Sequence, residues 1–394
     1  MPAPAGANRP HRFTLEIPIR STSEPRRTRS HSRVDVVEEA FRAAFRISTV
    51  RKAGELPSSK NGWRGKPMHL AGSRATRTRQ VAEETEQQRK DRLLPVLPFS
   101  PASNLPSLGV TKEGDVLFVR TPYLGDKFVR DLEQVARDAR SISDDSGLGT
   151  EMGGSAVQRQ IIVGATRASA NHTHTTGDYQ KAREEWDKLF QTQAFRSVVY
   201  VDLCVSPPAA SHIRYSAQPT SYTDTYLPQI AELYRSVHPN DPSLRARFGV
   251  FHSCAFNLPT GGSAATTRMH RDHQNPAAGI CWVLPYGNFD HKKDHLLVLR
   301  ELGVILEVPR GSMVGLPSAL VTHGNISIRP AGESTPHAKA GCERGSLVFY
   351  SSANVVLMGH TKGKTLKAVN GRRRKEMVFK GVDDMFKFPS DVTQ

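Results

Sequence analysis

From Phe248 onward the chain alternates short apolar runs with turn residues. The runs are FGVFHSCAFN (248–257), GICWVL (279–284), HLLVLREL (295–302), GVILEV (303–308), SMVGLPS (312–318), SLVFY (346–350) and ANVVLMG (353–359). Each has the length of a strand, and Gly, Pro, Asn or Asp residues lie between them. Successive strands at this spacing predict a sandwich or jelly roll. Neither the glycine fingerprint of a dinucleotide fold nor a phosphate-binding P-loop occurs in the chain.

Upstream of Arg247 the periodicity is mixed. Asp115–Thr121 reads as a strand and Asp126–Ile142 as an amphipathic helix with Phe128, Leu132, Val135 and Ala136 on one face. Ser143–Ser155 reads as a loop. Asp178–Gln193 reads as a helix capped by Asp178, Ser197–Val205 as a strand, and Tyr226–Val237 as a helix with Pro228 in its first turn. The fold class is therefore α+β, with helices preceding a β-rich half.

Charge is concentrated outside that core. The 394 residues carry 54 Lys and Arg against 38 Asp and Glu, a net charge of +16. The first 100 residues hold 20 of the basic and 10 of the acidic side chains. Residues 1–107 read as a largely disordered basic arm with one helix near Val34–Arg46, closed by the Pro-rich Leu94–Pro106. Residues 361–394 read as a basic tail that holds Arg372-Arg373-Arg374-Lys375. Such segments attract the phosphates of nucleic acid and resemble nuclear-localisation runs, although a merely solvated tail has the same composition. No apolar run reaches the 18 residues that would argue for a membrane helix, and residues 1–20 lack a secretory apolar core. These two features point to an intracellular protein, and the basic runs to a nuclear one. Cys204, Cys254, Cys281 and Cys342 are widely spaced and read as free thiols.

The chemistry-bearing segment is RMHRDHQN (268–275). His270 and Asp272 are two apart, so on an extended strand both face one side. A remote His would complete a 2-His-1-carboxylate set, which binds Fe(II) and leaves coordination positions open. His323, in PSALVTHGN (317–325), is the candidate. Spacing alone leaves a surface-histidine reading open, because the chain has 15 His. His172 and His174 read as loop residues, and His291 and His295 as exposed.

The stretch from Phe248 to Tyr350 resembles the TET/JBP family of Fe(II)- and 2-oxoglutarate-dependent DNA-base oxygenases, in particular its short fungal members. The resemblance lies in an ordered series of elements. Ala255-Phe256-Asn257 ends a strand, and His270-Arg271-Asp272 with Asn275 follows. Next come Gly279–Trp282, Gly287-Asn288-Phe289-Asp290 and His295–Leu299. The series closes with Val304–Ser312, Leu316–Asn325 and Arg344–Tyr350. A longer spacing between His323 and Arg344 marks an insertion near Ala331–Gly341.

The resemblance implies a double-stranded β-helix (jelly-roll) oxygenase domain over residues 108–360, helical over 108–246 and jelly roll over 247–360. It implies Fe(II) held by His270, Asp272 and His323, and 2-oxoglutarate, used with O2, held by Arg344 and Ser346. It implies that Asn275 contacts a methylated base. The expected activity is oxidation of 5-methylcytosine in DNA to 5-hydroxymethylcytosine and further oxidised bases. Phe256, Trp282, Tyr286 and Phe289 are candidates either for base stacking or for the core. Four readings stay open at this point: the same chemistry on another methylated base or on a protein side chain, a catalytically decayed nucleic-acid-binding protein, and a metal-free β-rich protein whose resemblance is accidental.

Overall fold

A computed structural model describes residues 33–59, 63–66, 90–152, 158–167, 173–199, 219–237, 246–260, 264–328, 344–360 and 382–388. Six of the seven apolar runs contain strands: β8 (Ser253–Pro259), β9 (Cys281–Tyr286), β10 (Leu296–Leu299), β11 (Val304–Leu306), β12 (Val314–Leu316) and β14 (Gly345–Tyr350). The seventh run is a helix, Ala353–His360. The Ser352 hydroxyl accepts the Asn354 N–H there, as an N-cap does, and nucleates the turn despite the β-branched Val355-Val356 pair. Between β12 and β14 lies β13 (His323–Ile326).

The strands form two sheets. The larger runs β1 (Phe45–Arg46), β3 (Ser107–Val110), β4 (Val116–Arg120), β12, β9, β14, β8, β6 (Gln158–Arg167) and β5 (Thr150–Met152), with β7 (Thr173–Thr175) beside β6. The smaller runs β13, β10, β11 and β2 (Val96–Leu97). From β9 onward the chain crosses between sheets: β10 and β11 lie in the small sheet, β12 returns, β13 crosses again and β14 returns. Neighbours β8, β14, β9 and β12 are antiparallel. This is the jelly-roll winding of a double-stranded β-helix, with helices packed outside it, and the fold is α+β.

Strand alternation then sorts the side chains. On β9, Cys281, Val283 and Pro285 face the space between the sheets, while Trp282, Leu284 and Tyr286 face outward. Trp282 packs 5.8 Å from Tyr222 and donates its indole N–H to Thr223 Oγ1 at 2.9 Å. Phe256 packs 5.4 Å from Trp186. Burial of each such aromatic is worth about 1.5–3 kcal/mol. Phe256, Trp282 and Tyr286 are therefore core residues and have no free face for a base. Phe289 remains partly exposed, edge-on to His295.

Several expected elements differ. The helix begun at Asp126 runs to Ser146 and ends on Gly147 at φ 60°, so it takes the first part of the expected 143–155 loop, and β5 takes another part. The β6 strand went unrecognised. Residues 193–199 are helical where a strand was expected from Ser197, because Phe195, Val198 and Val199 recur at helical spacing and bury together. The remainder of that expected strand, 200–205, lies outside the described residues. The expected 178–193 helix divides into Gly177–Lys181, Arg183–Gln191 and the start of the 193–199 helix. Asp178 does not cap it; its carboxylate accepts N–H groups from Gly149 and Ile162.

Parts of residues 1–107 also belong to the body. A helix, Arg33–Arg42, buries Val37 and Ala40. Ala53 and Trp63 are buried as well. Val96 and Leu97 add a parallel edge to β11. The Arg120 guanidinium, itself 2% exposed, donates to the Leu97, Pro98 and Glu307 carbonyls and to Ser107 Oγ. A basic average over this stretch hides its short apolar segments, and these are what pack. Among the described residues no helix is long and apolar enough to cross a membrane. Cys254 and Cys281 are buried and free. Cys204, Cys342, His172, the 331–341 insertion and Arg372–Lys375 lie outside the described residues.

Candidate metal centre

His270 and His323 are far apart in sequence and adjacent in space. Their backbones exchange two N–H···O bonds, each 2.9 Å. That two-residue bridge sets the HxD segment beside β13 and brings the imidazole centroids to 4.3 Å. Asp272 follows in the same extended segment, its N–H bonded to Ser318 O at 3.0 Å. Its Oδ1 lies 3.3 Å from His270 Nε2, and its Oδ2 lies 3.9 Å from His323 Nε2. All three ligand atoms fall within 4.8 Å of one another.

The histidine tautomers follow from their outer bonds. Nδ1 of His270 meets Arg268 O at 2.8 Å, and Nδ1 of His323 meets Val321 O at 2.9 Å. A carbonyl only accepts, so each Nδ1 carries a hydrogen, and each Nε2 is the atom left to bind a metal or, when protonated, to donate to Asp272. Burial opposes ionisation of Asp272. The hydrogen bond and charge of His270, with His323 and Ser318 behind them, outweigh burial and hold the carboxyl well below the usual range. Burial, reinforced by the neighbouring His270, lowers His323 to about 4. For His270 burial works downward, but the Asp272 carboxylate prevails and raises it. Two imidazoles and a carboxylate on one side of a cavity make a donor set suited to a non-haem Fe(II) ion.

These residues open into a cavity of about 330 Å³ between the sheets, a size typical of small-molecule sites. Arg344 and Ser346 stand on its wall, two residues apart on inward-facing positions at the start of β14. Arg344 is 4% exposed. Its Nη1 donates to Ala265 O at 2.6 Å and approaches Asn325 Oδ1 at 3.5 Å, while its Nε finds no acceptor. Among the described residues no carboxylate pairs with it. Burial lowers its pKa to about 10, with the Tyr286 phenol acting in the opposite sense. A buried guanidinium with an unused donor fits an anionic ligand carboxylate.

Ser346 is oriented from behind by a row of amides across three strands. Gln160 Nε2 donates to Asn257 Oδ1 at 3.1 Å, and Asn257 Nδ2 donates to Ser346 Oγ at 3.0 Å. The serine oxygen accepts that bond, so its own hydrogen is left to donate elsewhere. Asn275 also lines the cavity. Its Nδ2 points at Ser318 Oγ (3.2 Å) and Asp272 Oδ2 (3.5 Å), which turns Oδ1 the other way as an acceptor.

All six expected site residues thus border one cavity. Sequence reading missed Gln158 and Gln160. The signal was present in QRQIIVGATR (158–167), where Gln158, Gln160 and Ile162 alternate with Arg159, Ile161 and Val163. His295, expected at the surface, is 6% exposed and lines the cavity, because Asn325 Nδ2 holds its carbonyl at 3.2 Å. His174 is exposed on β7, and His291 is half-buried.

No protein-family model matches the chain, and no curated protein matches it. Among solved structures the chain is similar to NgTET1 in complex with 5mC DNA, with 12% identity, 70% of this chain and 90% of that one covered, and a TM-score of 0.36. It is similar to OsALKBH1 with 18% identity, coverage of 59% and 97%, and a TM-score of 0.29. A Pseudomonas putida prolyl-4-hydroxylase gives 14% identity, coverage of 60% and 92%, and a TM-score of 0.27. Likeness this remote carries no functional argument.

Proposed function

We propose that the protein is an Fe(II)- and 2-oxoglutarate-dependent oxygenase that oxidises 5-methylcytosine in DNA to 5-hydroxymethylcytosine and further oxidised bases. One observation carries this reading: the His270, Asp272 and His323 donor atoms converge in the same cavity as a buried Arg344 that lacks a carboxylate partner among the described residues. The catalytic domain in this reading spans residues 108–360 together with the packed parts of residues 33–107, and the remaining N- and C-terminal segments are basic.

Iron and 2-oxoglutarate, when bound, supply the oxidising power for a methyl C–H bond. The chain's own residues do the rest. His270, Asp272 and His323 hold the metal through two Nε2 atoms and a carboxylate oxygen. Arg344 offers its guanidinium to the far carboxylate of 2-oxoglutarate, and Ser346 Oγ–H donates to the same group. Asn257 and Gln160 keep that hydroxyl pointed inward.

The substrate reading rests on Asn275. Its Oδ1 is an acceptor at the cavity wall and suits the exocyclic amino group of a cytosine. A base inside a duplex cannot reach a metal between two sheets, so it would be flipped out and read on its edge. Lys and Arg of the terminal segments, Arg372–Lys375 among them, supply phosphate contacts and a nuclear address.

Nucleoside mass spectrometry of a 5-methylcytosine duplex incubated with the protein, Fe(II) and 2-oxoglutarate tests the reading, with His270→Ala as control. Hydroxymethylcytosine from the wild type alone is the expected result. Succinate release that His270→Ala abolishes, without an oxidised base, would keep the oxygenase and discard the substrate. Neither product would leave a nucleic-acid-binding protein without this catalysis.

A further inference from the structure

A metal site assembled from two chain segments is only as well defined as the joint between them. Here His270 and Asp272 come from one segment and His323 from β13. Behind the backbone bridge, one carboxylate joins the two sides. Glu301 lies in the turn after β10. Its Oε2 accepts the Thr322 N–H at 2.6 Å, and its Oε1 accepts the Thr322 hydroxyl at 2.6 Å. Thr322 Oγ1 in turn accepts Arg271 Nε at 3.1 Å, and Arg271 Nε lies 3.9 Å from Glu301 Oε1. Arg271 sits between His270 and Asp272, and Thr322 immediately precedes His323.

The clamp is largely shielded, with the Arg271 and Glu301 side chains 14% and 20% exposed. Thr322 is 1% exposed, and its carbonyl accepts Arg300 N–H at 3.0 Å. Arg271 Nη1 donates to Lys66 O at 3.1 Å, which ties the Trp63–Lys66 segment to the same joint. Neither Glu301 nor Thr322 lines the cavity. Their effect on the site would pass entirely through the residues they hold.

We propose that Glu301, acting through Thr322 and Arg271, is a positioning residue that sets the spacing of the His270–Asp272 pair relative to His323, and with it the affinity and geometry of the bound metal. This rests on the reading of those three side chains as metal ligands.

The test uses the full chain with Mn(II) and Co(II) as probes, without 2-oxoglutarate or DNA. Calorimetry gives the Mn(II) dissociation constant, and the visible absorption of the Co(II) protein reports ligand geometry. Glu301→Gln and Thr322→Val are expected to weaken Mn(II) binding about tenfold, the lower end of the effect of removing a direct partner of a metal ligand because they act one residue further out, and to shift the Co(II) spectrum. Thr322→Ser keeps the hydroxyl and is expected to stay near wild type. Thr322→Val is nearly isosteric, so it decides the matter if Glu301→Gln fails to fold. Mn(II) affinities within twofold of wild type and an unchanged Co(II) spectrum would overturn the proposal, whatever the melting temperatures. A wild type whose Mn(II) binding is absent or insensitive to His270→Ala would remove the ligand reading itself, and the proposal with it.

Discussion

Replacing Arg344 with Met is expected to stabilise the ligand-free protein and to abolish its response to 2-oxoglutarate. The guanidinium is 4% exposed and has one good acceptor, Ala265 O at 2.6 Å. Burial, against the opposing Tyr286, brings its pKa down to about 10. At about 1.4 kcal/mol for each pH unit, the charged side chain costs the folded state about 3 kcal/mol. The folded pKa lies below the unfolded one, so the folded state binds the proton less tightly. The penalty is therefore fully present at neutral pH and is relieved only as pH rises through about 10. Methionine fills similar volume without charge and forfeits one charge-assisted hydrogen bond, worth about 1.5 kcal/mol. The balance is a gain of about 1–2 kcal/mol, or roughly 2–6 °C for a domain of this size. With 2-oxoglutarate at a hundred times its dissociation constant the wild type gains about 2.7 kcal/mol, whereas the variant gains none. Thermal melts with Mn(II), with and without 2-oxoglutarate, read both effects. A ligand-free variant that melts below the wild type, or one that keeps the 2-oxoglutarate shift, would refute the reasoning.

Arg120→Met makes the converse case: the side chain is as deeply buried, but it serves three carbonyls and Ser107 Oγ. The variant is expected to lose about 2–4 kcal/mol in urea titrations and to be cleaved faster by protease within residues 94–106, because those carbonyls lose their donor. Gly324→Ala would place a Cβ 2.8 Å from the Arg268 and Met269 backbone, which cannot yield without opening the His270–His323 bridge. Calorimetry should then record Mn(II) binding weakened roughly tenfold or more. Trp282→Phe removes the indole N–H bonded to Thr223 Oγ1 at 2.9 Å while that hydroxyl keeps its bond to Pro219 O at 2.6 Å, so urea unfolding should register a loss of about 0.5–1.5 kcal/mol.

The sequence by itself determined the β-rich half and the identity of the metal-ligand candidates. A short apolar run bounded by turn residues is a property of neighbouring residues, so HLLVLREL and GVILEV announce strands without reference to anything distant. For the same reason His270 and Asp272 could be placed on one side of an extended segment. The same local reading failed wherever the deciding partner was remote. Residues 193–199 became helical because Phe195 and Val198 found a buried face, and Ala53 and Trp63 left the expected arm for the core. His295 looked exposed beside Lys292 and Lys293, yet the turn carries it inward.

Which histidine lies beside the HxD pair depends on tertiary structure, because the backbone bridge from His270 to His323 spans 53 positions of chain. Only it aligned Gln160, Asn257 and Ser346 across three strands, and only it set Glu301 behind Thr322 and Arg271. Each of these depends on register between strands that are not neighbours in sequence, and register is settled by burial and hydrogen bonding across the assembled sheets.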